Sequence, residues 1–427
     1  MGDNTNRVFI TGLSALTASG ESADATWAAV LAGDNGIDQI KQYDLSSWTH
    51  NLGGELKNYQ PAKMLPDRKL LKVISRQDVL GINAAVQAVQ HSQVINYRDT
   101  LESADVFNDE TAVFVGSPGN KYYQQYDFLP LIAKTDGDMK PFATQLFDEV
   151  HPTWLLRILP NNVLAYTGIT YGFKGVNHNV ANHAVGGMQA IIEAYHTIKQ
   201  GQAERAVVVA YDVGTEPQAL FYYEKLGVIS AQHLKPFDDK HDGTIMAEGA
   251  AALVLESEAS AKARGAICYG EIVGGMSATE ATGLFSIEED GAHLASLIQN
   301  TLERYQVSSA DLGLLVAHGN GNQKSDISEA RAFQTVFGDE QVPVTAFKWA
   351  MGHTLCASGV VDTVLATQAL NAKCVPGIVN LDNLASECSS LNASNKTRSI
   401  LKNKPYAMVI NRGFAGMNAC LILKSCE

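Results

Sequence analysis

Four short stretches of this chain carry residues that can do chemistry. Asn179-Val180-Ala181-Asn182-His183-Ala184-Val185-Gly186-Gly187-Met188 runs from a short strand-like entry through a tight turn of small residues into an amphipathic helix. Such a strand–turn–helix elbow sets one residue at a helix N-terminus, where backbone N–H groups and the macrodipole favour an anion or a nucleophile. Taken alone, it is equally the Gly-rich connection of any α/β protein. Val316-Ala317-His318-Gly319-Asn320-Gly321-Asn322, with Asp326 soon after, and Lys348-Trp349-Ala350-Met351-Gly352-His353 each bring an imidazole. Lys63, Arg68, Lys69, Lys72 and Arg76 form a basic run interrupted by one acid, Asp67. In a chain of net charge −13 that is a local reversal, either a solvated helix face or a dock for an acidic partner.

The elements that must position these residues are α/β. Short apolar runs at Val8 to Ile10, Thr111 to Val115, Ala206 to Ala210, Ala251 to Leu255, Leu314 to Ala317, Met408 to Ile410 and Cys420 to Leu423 predict buried strands. Helical spacing predicts helices over Asp78 to Val89, Gln189 to Lys199 and Ile327 to Val336. The 427 residues suit two fused α/β units of about 200 residues each. The small, charged stretch Ser257 to Gly265 sets the divide, giving residues 1–260 and 261–427, and Asn383 to Asn395 reads as a surface loop.

Composition excludes several classes. The balance of 46% hydrophobic and 18% charged residues is that of a soluble globular protein, and no apolar run reaches the length of a membrane span. The polar opening Met1 to Arg7 lacks the order of a signal peptide, and Asn6 stands where a myristoylation signal has Ser or Thr. The acidic balance argues against nucleic acid as a partner. None of the six cysteines sits in a CxxC pair, so neither a zinc site nor a redox pair is expected. They read as reduced thiols of a cytoplasmic protein.

Taken together, these segments resemble the β-ketoacyl-acyl-carrier-protein synthase (ketosynthase) family of the thiolase superfamily. Its A-H-G-T-x-T and K-S-x-x-G-H segments match at His318, Lys348 and His353. Ile10-Thr11-Gly12, Trp27, Pro236-Phe237-Asp238, Glu248-Gly249-Ala250 and Phe414 with Gly416 and Asn418 extend the likeness over nearly the whole chain. The resemblance implies a thiolase-like, five-layered αβαβα fold with two duplicated halves, the elbow in the first and both histidines in the second. It also implies a dimer and no cofactor beyond the phosphopantetheine arm that an acyl carrier protein delivers.

Registering the elbow on the family's glycines puts its nucleophilic cysteine on Ala184, which has no nucleophilic atom. His183 is no substitute in this reading, because its side chain should point elsewhere than that of residue 184. What survives is decarboxylation. His318 and His353 are expected to donate to a thioester oxygen, Lys348 to hold one imidazole, and the backbone N–H groups of Ala184 and Arg412 to form the oxyanion hole. Arg412 replaces the family's gating phenylalanine, with Phe414 beside it, and its Arg-Gly pair resembles chain-length factors, the nucleophile-less partners of ketosynthases. The basic run corresponds to the region that docks the carrier protein. Three readings fit: a non-condensing, chain-length-factor-like partner of an active ketosynthase, a malonyl-carrier-protein decarboxylase, or a condensing synthase whose cysteine has been changed to alanine.

Overall fold

The computed structural model describes residues 7–119, 128–338 and 340–426, so the polar opening Met1 to Asn6 lies outside the described residues. Ten strands form one hydrogen-bonded sheet. In chain order they are β1 (Val8–Leu16), β2 (Thr111–Gly116), β3 (Asn177–Val180), β4 (Arg205–Val213), β5 (Glu248–Ser257), β6 (Gly270–Thr279), β7 (Leu312–Val316), β8 (Val344–Thr345), β9 (Tyr406–Gly413) and β10 (Met417–Lys424). Their spatial order is β8-β7-β9-β10-β6-β1-β5-β4-β2-β3.

That order is two copies of one pattern. In the first, β3, β2 and β4 are parallel, and β5 and then β1 follow antiparallel. In the second, β8, β7 and β9 are parallel, and β10 and then β6 follow antiparallel. The halves join where Val8 to Ile10 of β1 pairs antiparallel with Gly270 to Ile272 of β6. The duplication was not legible in the letters.

Both faces of the sheet are covered, as the near-continuous apolar strands require. Along β2, Ala112 and Phe114 enter one core while Val113 and Val115 enter another. Along β4, Ala206, Val208 and Ala210 alternate in the same way with Val207, Val209 and Tyr211. Helices α1 (Arg76–Ser92), α3 (Ala292–Arg304) and α4 (Gln323–Phe337) cover the outer faces, while α2 (Gly186–Lys199) and α5 (Ser358–Ala372) pack on each other between the halves. This is the αβαβα layering of a thiolase-type fold.

The two central helices start alike. A turn at His183–Val185 leads into α2, and one at Leu355–Ala357 leads into α5. Each turn opens on a residue in the left-handed region, His183 at φ 47° and Leu355 at φ 46°. Their N-termini approach too closely for side chains: a Cβ on Gly187 would lie 2.4 Å from the Cys356 carbonyl oxygen, and one on Gly359 would lie 2.9 Å from Met188 Cβ. Ala184 and Cys356 therefore occupy matching places in the two halves.

Three of the ten strands of this sheet were missed from the sequence. β3 is a polar edge strand, β6 holds three glycines, and β8 has two residues, so none carries an apolar run. Asn383 to Asn395 is less open than expected, since Cys388 and Leu391 are buried. Two of the six cysteines, expected as reduced thiols, are brought together. Cys268 and Cys426 have Cα atoms 6.1 Å apart, within reach of a disulfide, because the start of β6 and the end of β10 lie side by side, Glu271 opposite Lys424. Cys356, Cys374, Cys388 and Cys420 are free.

Candidate functional site

A cavity of ≈ 420 Å³ opens between the ends of the two halves, and His183, His318 and His353 all reach its wall. His318 follows β7. Its own N–H and that of Gly319 donate to the Glu329 carboxylate of α4, at 2.7 and 3.0 Å. The Lys348 ammonium donates to the His318 carbonyl at 2.7 Å and to Asp362 of α5 at 2.9 Å, so Lys348 fixes the histidine through its backbone. The Arg412 N–H, expected in an oxyanion hole, donates instead to His318 Nδ1 at 3.2 Å. His353 Nδ1 accepts from the Leu355 N–H at 3.1 Å. The rings of His318 and His353 stand 5.1 Å apart and nearly perpendicular.

A backbone N–H can only donate, so both Nδ1 atoms are acceptors and each proton sits on Nε2. Both imidazoles are held neutral. Burial lowers their pKa values well below the ordinary one, and Lys348 lowers them further. The pair therefore presents two neutral Nε2–H donors, suited to an oxygen that gains negative charge.

Ala184 is fully buried at the start of α2, and no cysteine is among the cavity-lining residues. His183 is the elbow residue on the wall. Its ring stacks on Phe414 at 4.4 Å, its Nδ1 accepts from the Phe414 N–H at 3.3 Å, and its Nε2 lies 3.3 Å from the Tyr223 hydroxyl. Burial pulls its pKa down to about 4, so it too is neutral near pH 7. His183 has a left-handed backbone, and its ring lies on the cavity wall whereas Ala184 is not among the lining residues. The two side chains do point differently, as the sequence suggested, but it is the histidine that faces the cavity.

Arg412 is buried and fully engaged. Its guanidinium donates to Asn418 Oδ1, the Ser325 carbonyl, Glu280 Oε1 and Ser328 Oγ at 2.9 to 3.2 Å. To swing as a gate it would have to break these bonds. Phe414 lies on the cavity wall and is held by ring stacking on His183 rather than by side-chain hydrogen bonds. Asp326 serves structure: its carboxylate accepts from the Phe237 N–H at 2.8 Å and pairs with His241 at 3.1 Å.

The basic run is split. Lys63, Arg68, Lys69 and Lys72 are exposed. Arg76 is corrected out of a free docking set, because its guanidinium forms a two-pronged pair with Glu248, at 2.6 and 2.7 Å, and lies 3.8 Å over the Tyr59 ring. Among the described residues no group of side chains could hold a metal ion, and no helix is long and apolar enough to cross a membrane.

Burial also pushes the carboxyl groups of Glu329 and Asp212 up to about 7. Each then binds its proton more tightly folded than unfolded. The stability this contributes is full below the ordinary carboxylate range and is lost as pH rises through about 7. Unfolding in urea at pH 5.5 and at pH 8 is expected to show the protein less stable at pH 8, with Glu329 contributing about 2 kcal/mol. Glu329→Gln should remove about half of that difference, Asp212 accounting for the rest, and an unchanged slope would refute the assignment.

Residues 5–261 match the family described as "Beta-ketoacyl synthase, N-terminal domain", and residues 269–382 match "Beta-ketoacyl synthase, C-terminal domain". The chain belongs to the β-ketoacyl synthase family. Among curated relatives, 3-oxoacyl-[acyl-carrier-protein] synthase 2 of Staphylococcus aureus (strain N315) is 27% identical over 435 residues, covering 99% of each chain. The protein of that name from Synechocystis sp. is 27% identical over 429 residues, covering 98% of each. Among solved structures, the ishigamide ketosynthase/chain length factor superposes with a TM-score of 0.88 at 22% identity, over 99% of this chain and 100% of that one. A β-ketoacyl synthase from Burkholderia phymatum STM815 gives a TM-score of 0.86 at 24% identity, with the same coverage. A ketosynthase complex with its type II PKS acyl-carrier protein gives 0.86 at 21%, again with that coverage. These three likenesses speak to the fold alone.

Proposed function

We propose that this β-ketoacyl synthase homologue is a non-condensing, chain-length-factor-like subunit that pairs with a cysteine-bearing ketosynthase. The observation that carries this is Ala184, a methyl group at the start of α2 in an otherwise complete elbow, with no thiol on the cavity wall. The bonded Arg412 supports it, since the guanidinium is built into the core where the family keeps a movable phenylalanine. Pairing is supported by the sheet's free edge. β3 ends the strand order with exposed Asn177 and His178, and Ile169 stands 73% exposed on the helix Asn162–Tyr171 that packs against it. An open strand edge beside exposed apolar side chains suits a partner strand.

The retained Nε2–H donors of His318 and His353 favour a second activity in the same subunit, decarboxylation of a malonyl thioester on an acyl carrier protein. The thioester oxygen accepts from both imidazoles. The bond between the α-carbon and the carboxylate breaks, carbon dioxide leaves, and the electron pair becomes an enolate that takes a proton from water. The phosphopantetheine arm of the carrier would bring the thioester, and the exposed Lys63, Arg68, Lys69 and Lys72 would steer the acidic carrier.

Intact-mass spectrometry after incubation with acyl-carrier protein is expected to show no acyl adduct on this chain. Mixing with a cysteine-bearing ketosynthase of the same pathway should give a heterodimer on size exclusion, with an altered product length. A stable monomer that leaves the ketosynthase's products unchanged would overturn the partner reading. Ala184→Cys tests the remaining alternative, because a competent condensing enzyme from that one change would mark the alanine as a replaced cysteine.

A further inference from the structure

We propose that His183 is a substrate-binding residue of the cavity, a third Nε2–H donor that takes the free carboxylate of a malonyl-type thioester while His318 and His353 take its thioester oxygen. This rests on the decarboxylation reading above and deepens it by assigning the group that recognises the carboxylate.

The tautomer is set by the backbone. Phe414 N–H donates to His183 Nδ1 at 3.3 Å, so the proton lies on Nε2. The ring's orientation is set by the stack on Phe414, 4.4 Å between centroids and 15° between planes. A third ring, Phe285, packs on Phe414 edge-on at 5.4 Å, so the histidine stands against an aromatic wall. The present partner of Nε2 is the Tyr223 hydroxyl at 3.3 Å, a long contact. A carboxylate makes a shorter and stronger bond to the same N–H and displaces it.

The three imidazoles line one cavity but are held by different parts of the chain. His318 and His353 form a pair with rings 5.1 Å apart, suited to one shared oxygen. His183 is fixed separately, by the elbow and by Phe414. A ligand with two acceptor groups one methylene apart uses all three donors, whereas a simple acyl thioester uses only two. The cavity should therefore discriminate malonyl from acetyl by the carboxylate.

The test is binding rather than turnover, with amide-linked malonyl- and acetyl-pantetheine, in which NH replaces the thioester sulfur and slows loss of carbon dioxide. Calorimetric titration of the full chain is expected to show the malonyl analogue bound about ten- to a hundredfold tighter than the acetyl analogue. His183→Phe keeps a ring on Phe414 and removes the donor, and should abolish that preference while leaving acetyl binding within about twofold. His183→Asn, which tolerates the left-handed backbone, should do the same if the first variant folds poorly. His318→Ala should weaken both analogues together. A malonyl preference that survives both His183 variants overturns the proposal, as does its loss in Lys324→Ala instead, which would move the carboxylate to the lysine on the cavity wall. Wild-type protein that binds both analogues equally overturns the role of His183 alone. Wild-type protein that binds neither overturns the decarboxylation reading with it.

Discussion

His318→Ala and His353→Ala are each expected to slow carbon dioxide loss from a malonyl-carrier protein by about 10²–10³-fold, since each deletes one preorganised donor to the developing enolate oxygen. The donors act as neutral imidazoles. Burial and the Lys348 charge hold both pKa values well below the ordinary histidine value, so the wild-type rate should be independent of these two groups from about pH 6 to pH 8. A fall in rate would come only at acid pH, where the rings begin to take a second proton. Mass spectrometry of the carrier protein reads the loss directly, as conversion of the malonyl to the acetyl form. A wild-type rate that neither substitution changes would show that the imidazole pair is not the catalytic group. Absence of any wild-type turnover, together with heterodimer formation, would leave the partner role standing alone.

Arg412→Phe, which writes the family's residue back, is expected to destabilise the fold by about 3–5 kcal/mol rather than restore a gate. Arg412 and Glu280 are a buried ion pair, their side chains 5% and 1% exposed, with 2.9 Å between nitrogen and oxygen. Without the guanidinium, Glu280 keeps, among the described residues, the Asn418 amide and the Glu288 N–H as donors, and an unneutralised carboxylate stays in the core. Adding Glu280→Gln removes that charge and should recover much of the loss. Urea unfolding of the single and double variants measures both effects. Near-wild-type stability of Arg412→Phe would mean the network is ornamental.

Residue types at long spacing carried the family assignment. His318, Lys348, His353 and the elbow glycines are identifiable because their types and spacing match the family's motifs, and residue type is written in the letters. The buried strands of both halves were also legible, because a strand covered on two faces must be apolar along its length. The polar edge strand β3, the glycine-bearing β6 and the two-residue β8 were not, since each is held by its neighbours' hydrogen bonds rather than by its own composition.

The partners of the candidate site residues lay beyond the letters. Glu329 under His318, Asp362 on Lys348 and Glu280 on Arg412 are ordinary acids in a chain with 45 of them. Arg76 shows the same limit, a cation read as free that is tied to Glu248, 172 positions away. The sharpest case is the elbow. Sequence register alone establishes that residue 184 lacks a nucleophile, because alanine has no reactive atom in any conformation. That His183 turns its ring to the cavity goes with a backbone dihedral in the left-handed region and with the Phe414 stack, a contact that exists only once the two halves are packed together.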